Sequence, residues 1–158
     1  MIYFKCANKR AKKAYFMTAK NLQKTEYETL SNFRYQLRRF LRFSEDVTRE
    51  HGVTHLQYLL LLHIKGYPGR EWATIGELSE RLQSQQHGVV ALVSRCEAMG
   101  LVYRSQGKTD RRAVEVRLTA EGEKAIRQLA RLHRDELLKL QGIFQVPDLK
   151  ELGVDEAV

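Results

Sequence analysis

The chain has 158 residues, 43% hydrophobic and 29% charged, with a formal charge of +8; that is enough for one domain with the composition of a soluble globular protein. No apolar run reaches the ~18–20 residues of a membrane span, the basic start lacks the apolar block of a secretory signal, and Cys6 and Cys96 lie far apart with no CxxC spacing, which argues against a disulfide framework or a cysteine zinc site and fits a reducing cytoplasm. Seven basic residues and no acid fall in 1–24, and the rest carries 20 basic and 19 acidic groups, so the basicity belongs to a leader and is no argument that the body binds nucleic acid.

The leader, 1–24, reads as a floppy basic segment that can add nonspecific phosphate attraction, and Met17 is a candidate native start. Residues 25–158 read as one domain. Leu30, Phe33, Leu37, Phe40 and Leu41 recur at helical steps and predict a helix over 27–50, stopped at His51-Gly52. Thr54 caps a second helix, apolar nearly all round and therefore buried, which GYPG (66–69) ends. Thr74-Ile75-Gly76-Glu77 is a capping-box sequence opening a short helix over 75–82. After the polar break Gln83-Ser84-Gln85, another helix runs from Gln86 to Met99 and stops at Gly100. Residues 101–104 and the alternating Val114, Val116 and Leu118 read as two strands around a loop. Thr119 caps a long helix over 120–141, striped by Ile126, Leu129, Ala130, His133, Leu137 and Leu140.

A short helix, a tight break, a second helix and a hairpin make a winged helix-turn-helix, here over 54–118. The expected fold is mainly α with a small β-hairpin wing, flanked by long outer helices over 27–50 and 120–156. The outer stripes are too apolar to face water, so Leu30, Phe33, Leu37, Ile126, Leu129, His133 and Leu137 are the expected dimerisation residues of a homodimer.

Two chemistries compete for the hairpin tip. Gly107-Lys108-Thr109 ends like a phosphate-cradling loop, but that motif needs a glycine at position 102, where Val102 stands, and a helix after the loop rather than a strand. The nucleotide reading fails on both counts. A nucleic-acid reading fares better. At 100° per residue Val89, Leu92, Val93 and Cys96 share one face of the second helix. Gln85, Gln86, His87, Gly88, Ala91, Ser94 and Arg95 are left to offer a small, hydrogen-bonding surface to a major groove. The rival is a merely solvated face. At the tip, Lys108, Arg111 and Arg112 can reach phosphates or a narrow minor groove, with Asp110 holding an arginine extended; the rival there is a soluble turn.

The stretches LQYLLLLHIKG (56–66), TIGELSERL (74–82), HGVVALVSRCEAMGLVYR (87–104) and DRRAVEVRLTAEG (110–122) resemble the MarR (multiple antibiotic resistance regulator) family over about 27–142. The resemblance implies a dimeric, DNA-binding repressor whose outer helices interlock between subunits, with the helix from Gln86 in the major groove. It implies that Asp110 orients Arg112 toward the minor groove, with Arg111 and Lys108 on phosphates. It also implies a small aromatic or phenolic effector held between the outer helices and the winged lobe, where Arg34, His55, Tyr58, His63 and Trp72 are candidates; core packing is the competing use of each. The redox-sensing cysteine of some members belongs to the first outer helix. Cys6 lies before it and Cys96 on the core face of the second winged helix, so Cys96 reads as a small buried hydrophobe. Gly52 and Thr54 break the helix that would align His51 with His55, so no metal is expected, nor any cofactor or enzymatic activity: no catalytic triad or carboxylate pair is spaced for it. The competing function is a winged-helix protein-interaction module without specific DNA binding.

Overall fold

The computed structural model describes residues 22–107, 113–142 and 146–147. Five helices and three strands are formed among them: α1 (Lys24–Glu50), α2 (His55–Lys65), β1 (Trp72–Thr74), α3 (Ile75–Arg81), α4 (Gln86–Ala98), β2 (Val102–Gln106), β3 (Val114–Leu118) and α5 (Ala120–Lys139). The chain divides into two compact units, Met1–Tyr35 with Gln145–Val158, and Gln36–Phe144. Of the expected outer-helix stretch over 120–156, residues 143–145 and 148–156 lie outside the described residues, as does the leader up to residue 21.

Local chemistry sets most boundaries. Thr54 closes a capping box with Gln57: its hydroxyl accepts from the Gln57 backbone amide at 3.3 Å, and the Gln57 side-chain oxygen Oε1 accepts from the Thr54 backbone amide at 2.7 Å. Thr74 and Glu77 form the second box, with the Thr74 amide donating to Glu77 at 2.8 Å. α4 ends on Gly100, whose φ of +70° is the left-handed conformation glycine adopts without strain. The Leu101 amide donates back to Cys96 and the Gly100 amide to Glu97, each at 2.9 Å, which satisfies the last carbonyls of α4.

The strands form one antiparallel sheet in the order β1-β3-β2, with Ala73 opposite Val116 and Arg104 opposite Val116 on the other side. β1 is absent from the sequence reading. Three residues carry too little periodicity to announce a strand, and Trp72–Thr74 becomes one by adding to the free edge of β3. The core of the larger unit is built from Tyr58, Leu60, Leu61 and Ile64 of α2, Leu78, the inner face of α4, Val102, Val116, and Ile126 and Leu129 of α5. α2 is less enclosed than its composition suggests: Leu56 stays 48% exposed. The β3 alternation also breaks. Val116 is fully buried, but Val114 is exposed and Glu115 is 3% exposed. Val114 stands at the distal end of the hairpin, next to the tip. On the opposite face the Glu115 carboxylate is buried because Arg117 covers and bonds it, at 2.7 Å and 3.2 Å from one oxygen.

Burial alone would raise the Glu77 carboxyl. Hydrogen bonds from Thr74, Arg70 and Tyr67 outweigh it and hold the group down at about 2. A depressed carboxylate contributes stability that is complete above its ordinary value of 4.5 and lost as pH falls through the folded value. Thr74→Ala removes the cap and one partner of that carboxylate, so it should lower stability by about 1–2 kcal/mol at neutral pH, with the deficit shrinking toward pH ~2 in urea unfolding.

Candidate nucleic-acid interface

α4 buries Val89, Leu92, Val93 and Cys96, the face its periodicity predicts. The other seven residues assigned to the groove, Gln85, Gln86, His87, Gly88, Ala91, Ser94 and Arg95, are all exposed. Gln85 caps the helix in an extended conformation without a side-chain bond to the first turn, so the first amides of α4 point outward unpaired by a cap. The turn before α4 is set by Gln83 at φ +50°. The Ser84 amide returns to Ser79 at 3.0 Å and the Gln83 amide to Glu80 at 3.2 Å. The same capping geometry that ends α4 on a glycine therefore ends α3 on a glutamine.

The wing base is a regular hairpin. Gln106 stands opposite Val114, and the Gly107 amide donates to the Ala113 carbonyl at 2.9 Å. Lys108, Asp110, Arg111 and Arg112 lie beyond that pair, outside the described residues.

A residue that the sequence reading placed on a strand but not among the site candidates joins the two parts. Arg104, on β2, lies along α4: its guanidinium pairs with Glu97 and donates to Ser94 Oγ at 2.9 Å and to the Val90 carbonyl at 3.3 Å. The signal was faint but present, since Glu97 and Arg104 are opposite charges on either side of the Gly100 reversal.

Four of the five effector candidates belong to the larger unit, and among these His55 and Tyr58 form one group. His55 and Tyr58 meet, 6.5 Å between ring centroids, beside Ser44 and His133. Ser44 Oγ lies 2.7 Å from His133 Nε2 and 3.0 Å from His55 Nδ1. The Tyr58 ring stacks on His133 at 4.1 Å, and burial pushes the Tyr58 hydroxyl up to about 12. His63 is half-buried rather than in the core, and burial and then the Arg81 charge lower its pKa. Trp72 lies under the Arg70 guanidinium, 3.7 Å from the ring centroid. Arg34 is an exposed residue of α1 in the other unit. An open depression of about 600 Å³ along α1 is lined by Lys24, Tyr27, Glu28, Ser31, Asn32 and Tyr35, and by none of the five.

The expected dimer residues divide similarly. Ile126 and Leu129 are core residues of the chain's own larger unit, and His133 is 5% exposed and bonded to Ser44. All three are buried within the larger unit, where α5 packs on α2 and His133 meets Ser44 of α1. Leu30 and Leu137 are exposed, and Phe33 and Leu37 are half-buried. Cys96 is fully buried, and burial pushes its thiol up to about 11, far from the low range of a reactive thiolate. His51 Nδ1 lies 2.7 Å from the Val47 carbonyl, and no three metal-ligating side chains cluster among the described residues. No helix among them is long and apolar enough to cross a membrane.

Residues 51–113 match the model of the MarR family. No curated protein matches the chain significantly. Among solved structures the chain is similar to AbsC, a MarR family transcriptional regulator from Streptomyces coelicolor, at 22% identity and a TM-score of 0.69, over 85% of this chain and 90% of that one. It is similar to a Staphylococcus aureus MepR variant bound to an oligodeoxyribonucleotide, at 19% identity and a TM-score of 0.58, over 78% and 86%. It is also similar to the transcriptional regulator Tm0710 from Thermotoga maritima, at 27% identity and a TM-score of 0.54, over 72% and 81%. With a helix-turn-helix, a hairpin wing and a three-stranded sheet, the chain has the winged-helix fold of these regulators, and its residues 51–113 carry the match to the MarR family.

Proposed function

We propose that the chain is a homodimeric, ligand-responsive repressor that acts in the cytoplasm on a pseudo-palindromic DNA operator. The observation that carries this reading is α4: one face is sealed in the core while the other presents Gln85, Gln86, His87, Gly88, Ala91, Ser94 and Arg95. Glutamine and histidine can bond base edges, and glycine and alanine let the helix approach them. Two copies would place two such helices in successive major grooves, about one helical turn apart. The oligodeoxyribonucleotide bound by the MepR variant supports a duplex partner. Exposed Leu30 and Leu137 support a second copy as the partner of the outer helices. His55 and Tyr58, a polar and an aromatic ring on the first turn of α2, support a small aromatic or phenolic effector there.

In this reading Asp110 holds Arg112 toward the minor groove, with Lys108 and Arg111 on phosphates. Arg112→Ala should weaken duplex binding and reduce the salt dependence by about one counterion. Footprinting on the adjacent intergenic DNA, followed by a salt titration of wild type and Arg112→Ala, tests both. An unchanged affinity and slope would show that the wing does not touch DNA. The competing reading, a protein-interaction module, draws on the scarcity of charge along α4, where Arg95 is the one fully charged residue of the seven. Equal binding of operator and random duplex, lost on truncation to 25–158, would favour it.

A further inference from the structure

Arg104 bonds α4 at three points on one stripe: the Val90 carbonyl at 3.3 Å, Ser94 Oγ at 2.9 Å and the Glu97 carboxylate. Its backbone amide adds a fourth bond to Glu97, at 3.2 Å. Positions 90, 94 and 97 span about two helical turns. Two residues further along β2 the strand ends at Gln106, and the hairpin tip begins beyond Gly107. A single side chain therefore straps the middle of the groove-facing helix to the root of the wing.

The strap also decides what Ser94 can do. Its hydroxyl donates its one proton to the Val90 carbonyl, at 3.0 Å, and accepts from Arg104. A serine hydroxyl has one proton and two lone pairs, so Ser94 reaches outward with one lone pair and no donor.

Resting on the DNA-binding reading above, we infer that Arg104 is a positioning residue: it fixes the angle between α4 and the wing, and Ser94 is its anchor rather than a reader of bases. A reader that must enter a major and a minor groove at once gains affinity when the two parts are already aligned, because binding then orders less. A guanidinium suits the task because its planar fork reaches a carboxylate, a hydroxyl and a carbonyl together. A lysine ammonium is a point charge without that geometry.

The experiment uses the full chain with Arg104→Ala, Arg104→Lys, Glu97→Gln, Ser94→Ala and the Arg104→Ala/Ser94→Ala pair. Affinity is read on the footprinted operator and on a random duplex across a salt series, with a thermal melt of each variant. Arg104→Ala should lose about tenfold in operator affinity, and Ser94→Ala should add little in its background, as expected of coupled neighbours. Random-duplex affinity and salt slope should hold, and Arg104→Lys should fail to restore the operator preference. Glu97→Gln, outside the groove-facing set, weakens the strap while leaving Arg104 and Ser94 in place, and carries the test if Arg104→Ala does not fold. It should lower operator affinity without lowering random binding. A salt slope reduced by about 0.9, with rescue by lysine, would make Arg104 a phosphate contact and overturn the inference. Unchanged operator preference in Arg104→Ala would overturn it alone. A wild-type protein that prefers no duplex would overturn it together with the DNA-binding reading.

Discussion

Gly122→Ala should destabilise the fold by about 3 kcal/mol or more, a fall of roughly 10 °C in Tm. In an ordinary helix the same change stabilises by up to ~1 kcal/mol. Here a Cβ on Gly122 would lie 2.0 Å from the carbonyl oxygen of Leu101 and 3.0 Å from its carbon. That carbonyl has nowhere to go. It accepts from the Thr119 amide at 3.1 Å, while the Leu101 amide is held by Cys96 in the cap of α4. Thr119 completes the joint. Its hydroxyl donates to the Gly100 carbonyl at 2.6 Å and accepts from the Gly122 amide at 3.0 Å. The first turn of α5 is thus seated on the last turn of α4, backbone against backbone. Gly88→Ala is the internal control: no atom lies within 4 Å of its Cβ, and it should raise Tm. If both variants melt within about 2 °C of wild type, the close approach at Gly122 is not as described. Under the DNA-binding reading proposed above, Gly88→Ala reports separately on α4, since a methyl group added to its exposed face should weaken duplex binding while it strengthens the fold.

The features legible in the sequence are those whose cause is local. Thr54, Thr74 and Thr119 each announce a helix because a cap and its partner lie three residues apart. The inner face of α4 follows from one period, and the hairpin from the alternation around Val116. What the sequence does not show is set by residues far away along the chain. β1 exists only because β3 offers an edge. Glu115 is buried only because Arg117 and the strand beside it cover it, against the polarity that places it outside. A stripe of Ile126, Leu129 and His133 says that a helix face is apolar, not which surface covers it, and the chain's own core took all three. Arg104 was missed for the same reason: its partners come within reach only after Gly100 reverses the chain. Among the candidate site residues, the exposure of the α4 set was therefore readable from one helix. The effector candidates required knowledge of which elements meet; His55 and Tyr58 meet because they share the first turn of α2.

His133 is where that meeting can be tested most directly. Its Nδ1 lies 2.8 Å from the Leu129 carbonyl. A carbonyl only accepts, so the proton of the neutral ring is on Nδ1 and Nε2 is the acceptor. Ser44 then donates to Nε2 and accepts from His55 Nδ1–H, a directed chain from α2 through α1 to α5. Tyr58 stacks on the ring, and Phe40 and Phe43 meet it edge-on at 6.3 Å and 5.8 Å. His133→Ala removes that packing and leaves the buried Ser44 hydroxyl without its acceptor, and should cost about 3 kcal/mol. His133→Phe keeps a ring in place and should cost about 1–2 kcal/mol through the lost hydrogen bonds. Both should also change the response to acid. Burial lowers the His133 pKa below its ordinary 6.5, and the nearby His55 lowers it further, against the bond to Leu129. A histidine lowered on folding leaves the unfolded chain holding more protons, so its stability contribution is complete above 6.5 and lost as pH falls through the folded value. Protonation would also put a second proton between Nε2 and Ser44, reversing the chain. Urea unfolding of wild type should therefore lose stability as pH falls below 6.5, and the slope should be shallower in both variants. The remainder belongs in part to His63, which is lowered in the same direction. An equal slope in wild type and His133→Phe would mean that the ring does not titrate in its buried place.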